Sequence, residues 1–130
     1  GLYKKALALK EFSESGEFAN VVQLLVRTGN ILKKYDGQGY SRSLLVDKHE
    51  IGLEKAFSAM EGRFLEDYAA ERYLDCFKLL EQLEEPLDSF FENVMVMIDD
   101  AAIRENRLGL LAQIRNLGEQ LFVAGQIVIQ

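Results

Sequence analysis

The sequence predicts an all-α protein, a bundle of about five to six helices, on three observations. Apolar residues recur at helical spacing along most of the chain. Strand-like alternation is scarce. The 130 residues contain a single proline, so few helices are interrupted from within. The chain is 48% hydrophobic, enough to bury a core, and its length suits one domain over residues 1–130.

Each element has a local reason. A first helix is predicted over about Tyr3–Phe12, ended by SESG. A second runs over about Glu17–Tyr35, where Phe18, Val21, Val22, Leu25, Thr28 and Leu32 share a face with Gly29. A glycine there weakens the helix, so it is expected to admit a close neighbour. Arg27, Asn30 and Lys34 fall on the opposite, wet face. Residues 36–46, DGQGYSRSLLV, read as a connecting loop. Its lone G-x-G lacks the G-K-S/T of a phosphate-binding loop.

Asp47 starts a third helix through the capping box DKHE, in which Asp47 and Glu50 satisfy each other's amides. That helix continues toward 66–70. A fourth covers about Arg72–Leu83, with Tyr73, Phe77 and Leu80 on one face. Pro86 fits the first position of a fifth. This helix carries FFENVMVM and is expected to be central, with Met95 and Met97 as core fillers. Asp99 or Asp100 caps the last helix, Ala101 to about Leu121. The terminal FVAGQIVIQ is expected to pack back onto the bundle.

Several chemistries find no support. The only cysteine, Cys76, forms no internal disulfide and sits in an apolar run that predicts a buried thiol. The only histidine, His49, lies inside the capping box and is expected to be exposed or half-buried. With one His and one Cys, a metal site is not expected. No nucleophile motif marks an enzyme. No apolar run approaches the roughly 18 residues of a membrane span. The chain opens GLYKK, without Met or a secretory leader, and is expected to be a piece of a longer protein.

The formal net charge is −6, which disfavours a general nucleic-acid surface. The distribution is uneven. Residues 1–46 carry seven Lys/Arg against four Asp/Glu, residues 47–100 carry five against fifteen, and residues 101–130 carry three against two. The ends are basic and the middle is acidic.

The last helix sorts its charges. Ile103, Leu110, Ile114, Leu117 and Leu121 cluster within about 60° on a helical wheel. Arg104 and Arg115 fall within about 20° of each other, with Arg107 between them and the apolar stripe. From the pattern alone two readings stay open. The arginines pair with acids of the middle segment, or they grip an anion, with Arg27, Lys33 and Lys34 extending the edge. Tyr35 and Tyr40, close by in sequence, suit stacking on unpaired bases.

RTGNILKKY (27–35), LLEQLEEPLDSFFENVMVMIDDAAIRENRLGLLAQIR (79–115) and the terminal VAGQIVIQ resemble the C-terminal end of the β subunit of bacterial glycyl-tRNA synthetase. Within this run Asp-Ala-Ala-Ile-Arg (100–104) is similar to the Asp-Ala-Leu-Arg signature of helical anticodon-binding domains. It differs by an extra Ala and by Ile103 in place of Leu. Gly125 stands where the pattern has an Asp, and Lys48 where a Pro is common. Arginyl-tRNA synthetase closes with the same domain and is the near alternative; an acidic protein–protein module is the other.

The resemblance implies a non-catalytic domain that holds the anticodon arm of glycine tRNA, in the cytoplasm. The parent subunit would join an α subunit that uses ATP to make glycyl-adenylate; the domain itself would need no cofactor. Carried over by position, the nucleic-acid-binding candidates are Arg27, Asn30, Lys33, Lys34, Arg104, Asn106, Arg107 and Arg115. For Asn30 and Asn106 the alternative is a bond between helices.

Overall fold

The computed structural model describes residues 2–35, 37 and 39–122. Among these, six α-helices and one 3-10 turn follow in order: α1 Leu2–Ser13, α2 Phe18–Ile31, the turn Arg42–Leu44, α3 Lys48–Ala69, α4 Tyr73–Glu81, α5 Glu84–Asn93 and α6 Ala101–Gly118. The all-α expectation holds. The expected packing of the terminal segment lies outside the described residues beyond Phe122, which is itself buried.

Local chemistry sets the helix ends. Asp47 Oδ1 accepts from the His49 amide at 2.8 Å, and Glu50 Oε1 accepts from the Asp47 amide at 2.9 Å, completing the predicted capping box. The α3 terminus is a Schellman motif. Arg72 N donates to Asp67 O at 2.8 Å and Glu71 N to Tyr68 O at 3.0 Å, with Glu71 left-handed at φ 60°. Asp100 Oδ1 accepts from Ile103 N at 3.1 Å and caps α6. Pro86 stands third in α5 rather than first, still inside the turn whose amides lack helical partners.

The helix α2 stops at Ile31, four residues short of expectation, and its exit tightens through Lys33 N to Asn30 O and Tyr35 N to Leu32 O. Its predicted buried face is otherwise observed: Val21, Val22, Leu25, Thr28 and Leu32 are buried. The helix α5 ends at Asn93, so FFENVMVM is helical only in its first half. Val94 is extended at φ −120°, ψ 124°, and the chain bends at Val96 and Met97. Met95 and Met97 are not core fillers; they are 70% and 63% exposed, while Val94 and Val96 are 8% and 7% exposed. The alternation of V-M-V-M is strand-like, and only its valines reach the core.

Around the core α1 packs on α4, α3 on α4 and α5, and α2 on α6 and α5. Phe57, Phe64, Phe77, Phe90, Leu110, Leu111 and Ile114 are among its fully buried side chains. Cys76 is buried as expected. Burial, then the charges of Asp67 and Asp75, pushes its thiol up to about 11, so it stays protonated near neutral pH. His49 is half-buried, with Nδ1 3.0 Å from Ser89 Oγ.

The expected close approach at Gly29 is not seen: a Cβ there would meet open space. Gly109 fills that role. A Cβ on Gly109 would run into the carbonyl of Gly39, so α6 and the 37–46 loop touch backbone to backbone. Gly109→Ala is therefore expected to destabilise the domain by about 1–3 kcal/mol. Thermal unfolding followed by circular dichroism measures this; an unchanged midpoint would mean the loop yields freely.

Candidate nucleic-acid interface

The side chains of α6 divide by the neighbours they face. Arg104 is half-buried. Its Nη1 donates to Ile98 O at 3.0 Å, and its Nε lies 3.8 Å from Glu105 Oε2. The guanidinium thus braces the segment entering α6 while staying partly open to solvent. Arg115 is also half-buried, with Nε and Nη2 donating to Asn116 Oδ1 at 3.3 and 3.2 Å.

Asn106 and Arg107, expected on the ligand-facing edge, are instead occupied within the fold. Asn106 Oδ1 accepts from Ser41 N at 2.6 Å and its Nδ2 donates to Ser41 O at 3.1 Å. The amide pairs with both backbone groups of one residue, as a neighbouring strand would. Arg107 is buried. Its Nε donates to Glu50 Oε2 at 2.9 Å and its Nη1 to Met95 O at 2.7 Å. Glu50 is 0% exposed, and its Oε1 accepts from Val46 N at 2.8 Å and Asp47 N at 2.9 Å. A buried charge is tolerated when paired and hydrogen-bonded, and both charges here are. Together they tie α6, the start of α3 and the segment after α5 into one joint.

Residues 40–42 of the loop are fixed by a second network that sequence reasoning did not find. Tyr40 Oη donates to Glu54 Oε2 at 2.7 Å, Arg42 Nε donates to the same oxygen at 2.9 Å, and Ser58 Oγ donates to it as well. Burial alone would raise the Glu54 carboxyl, yet hydrogen bonds from Ser58, Tyr40 and Arg42 hold it below the usual carboxylate range. Burial, then the Glu54 contact, raises the Tyr40 phenol. The Tyr40 hydroxyl is thus engaged inward, and Tyr40 and Tyr35 are both half-buried against the core.

On α2 the candidates face water. Arg27, Asn30, Lys33 and Lys34 are exposed, and the last three side chains make no hydrogen bond or ion pair among the described residues. The Arg27 guanidinium lies 4.4 Å from the Phe91 ring centroid, over its face. This cation–π contact holds the charge at the surface without neutralising it.

The helices α2 and α5 run parallel. Asn20 hydrogen-bonds Glu84, and Arg27 stacks on Phe91, further along both helices in the same direction. Consequently the C-terminal turn of α2 and the segment after α5 come to the same end of the bundle. The opposite end is acidic. Glu81, Glu84, Glu85 and Asp88 line one recess there, and Glu84 also meets Glu17. The Glu17 hydrogen bond, then burial, raises the Glu84 carboxyl, as crowded acids require. Arg27 shares a recess with Glu84 and Asp88, while Lys33 and Lys34 stand exposed beyond it at the end of α2.

This helical bundle, with a capped final helix beginning Asp-Ala-Ala-Ile-Arg, matches a known family. The DALR anticodon binding domain model covers residues 21–122, and the chain belongs to that family. The more particular likeness is to "Glycine--tRNA ligase beta subunit" proteins. That of Aliivibrio fischeri (strain MJ11) is 37% identical over 117 residues, 88% of this chain and 17% of the relative. That of Nitratidesulfovibrio vulgaris is 38% identical over 111 residues, 80% of this chain and 16% of the relative. That of Vibrio cholerae is 41% identical over 98 residues, 73% of this chain and 14% of the relative. The chain therefore spans less than a fifth of the length of the relatives it matches.

Proposed function

We propose that this chain is the anticodon-arm-binding domain of a glycine–tRNA ligase β subunit, residues 1–130 forming one domain near the C-terminal end of a longer polypeptide. It binds glycine tRNA and performs no chemistry. The rest of that subunit joins an α subunit, which consumes ATP to activate glycine, and the complex works in the cytoplasm. The observation that carries the binding role is the exposed set Arg27, Asn30, Lys33 and Lys34 on one helix in a fold of the anticodon-binding family. Arg104 and Arg115 of α6, both partly open to solvent, contribute further cations. Lysine and arginine anchor stem phosphates, and Arg or Asn reads unpaired base edges. Asn106 and Arg107 support the surface from within.

A filter-binding salt titration with glycine tRNA and a non-cognate tRNA tests this reading, using the full-length subunit. Selective binding that weakens with salt is expected. The Arg27→Ala/Lys34→Ala double variant should weaken binding and reduce the salt slope by about 2, one for each cation taken off the phosphates. Wild-type protein that ignores tRNA, or a variant with the parental slope, overturns it.

A further inference from the structure

We propose that the segment Val94–Met97 is a stacking platform on which Met95 and Met97 receive unpaired bases of the bound RNA. The proposal rests on the RNA-binding reading above and adds the surface that meets the bases.

The segment is built to show two methionines. Val94 N donates to Phe90 O at 2.8 Å, which holds the segment's start against α5. The Val94 and Val96 side chains fill the core beneath. Arg107 Nη1 grips the carbonyl of Met95. With backbone and valines fixed, Met95 and Met97 have no inward alternative, and both stand largely in solvent. Val46, also exposed, adjoins them through the joint in which Glu50 binds the Val46 amide and Arg107 binds Met95 O. Large exposed apolar side chains grouped on a fixed backbone mark a binding surface rather than incidental exposure.

The side-chain chemistry suits bases. Methionine is flexible and polarisable, and its sulfur makes favourable contacts with aromatic rings. Every base offers a π-face, so such a surface accepts bases without demanding one hydrogen-bond pattern. Electrostatics separates an RNA from a protein partner. The platform lies at the end of the bundle reached by the C-terminal turn of α2, where Asn30, Lys33 and Lys34 are exposed. Arg104 braces the chain just beyond it through Ile98 O. Of the acids nearby, Asp47 and Asp100 are committed to helix caps, Glu92 and Asp99 are exposed, and the cluster of Glu81, Glu84 and Glu85 lies at the other end of α5. Cations that hold phosphates beside apolar groups that hold bases are what a single-stranded loop requires.

The test uses the full-length subunit, an anticodon stem-loop RNA of glycine tRNA, and a fully paired hairpin of equal charge. Met95→Ala/Met97→Ala is expected to weaken stem-loop binding about fivefold to tenfold. It should leave hairpin binding and the salt slope unchanged, because every phosphate-binding cation is kept. Met95→Leu/Met97→Leu should keep most of the affinity, since the apolar surface remains. Both side chains are exposed, so the variants should melt with the parent. If the wild type binds the stem-loop and the alanine variant binds it equally well, the platform is overturned while RNA binding stands. The platform is likewise overturned if the alanine variant loses only self-association or α-subunit binding, which would make the methionines a protein contact. If the wild type binds no RNA, both readings fall.

Discussion

Glu50→Ala is expected to lower the unfolding free energy by about 3–5 kcal/mol, the cost of breaking a buried ion pair from one side. The substitution strands the Arg107 guanidinium among apolar neighbours with only the Met95 carbonyl left to it. It also removes the acceptor for the Val46 and Asp47 amides, so the first turn of α3 loses half of its capping box. For a domain of this size the midpoint of thermal unfolding should fall by on the order of 10–20 °C. Glu50→Gln should cost less, because its amide oxygen still accepts from those two amides. Arg107→Ala should resemble Glu50→Ala, and the double variant should lose less than the two combined, with a coupling of roughly 0.5–3 kcal/mol. Denaturant unfolding of the four proteins of this cycle measures it. Additive losses would mean the two side chains contribute separately and the joint is only geometric.

That pair also marks where sequence reading reached its limit. Arg107 was legible as one of three arginines sorted onto one flank of α6, but a helical wheel shows only that a flank is distinct, not what lies against it. Its partner is 57 residues away, and fifteen acids of the middle segment were equally available. By contrast, the capping box, the Asp100 cap and the apolar stripes were legible because they depend on neighbours three or four positions apart. The same division separates Gly29 from Gly109. Both are helix-interior glycines, and only the arrival of the 37–46 loop makes one of them obligatory.

V-M-V-M is a different case. Four apolar residues after a helix fit either a helical core or an alternating strand, and over so short a run the two periods compete nearly evenly. The helix ends instead at Asn93, Arg107 binds Met95 O, and both methionines stand outward. Of the candidate site, the α2 cations were readable because that helix has one clear wet face. The apolar part of the surface was not, because it looked like core.

Phe77→Ala is expected to cost about 3–5 kcal/mol, with the loss concentrated at α1. Phe77 is fully buried in α4, between Phe12 of α1 at 5.0 Å and Phe122, beyond α6, at 5.8 Å between ring centroids, both stacked. The three rings form a column joining the first helix to the end of the described chain. Deleting the middle ring leaves a cavity and removes two aromatic contacts, each worth about 0.5–1.5 kcal/mol beyond its burial. The helix α1 lies outside the residues that match the family and packs chiefly on α4. Its further ties include the Phe12–Phe18 ring contact, the Lys4–Glu71 ion pair and Lys5, whose Nζ donates to Tyr68 Oη at 2.7 Å and to Gln120 O at 3.1 Å; partly exposed polar bonds of this kind contribute modestly. Without the Phe77 ring, α1 should open before the rest of the bundle. Hydrogen exchange should then report lost protection at Leu9–Ser13 under conditions where α3 and α6 remain protected, whereas Phe77→Leu should retain most of that protection. Uniform loss across all six helices would instead show that α1 unfolds only with the whole domain, and that the ring column is part of a single cooperative core.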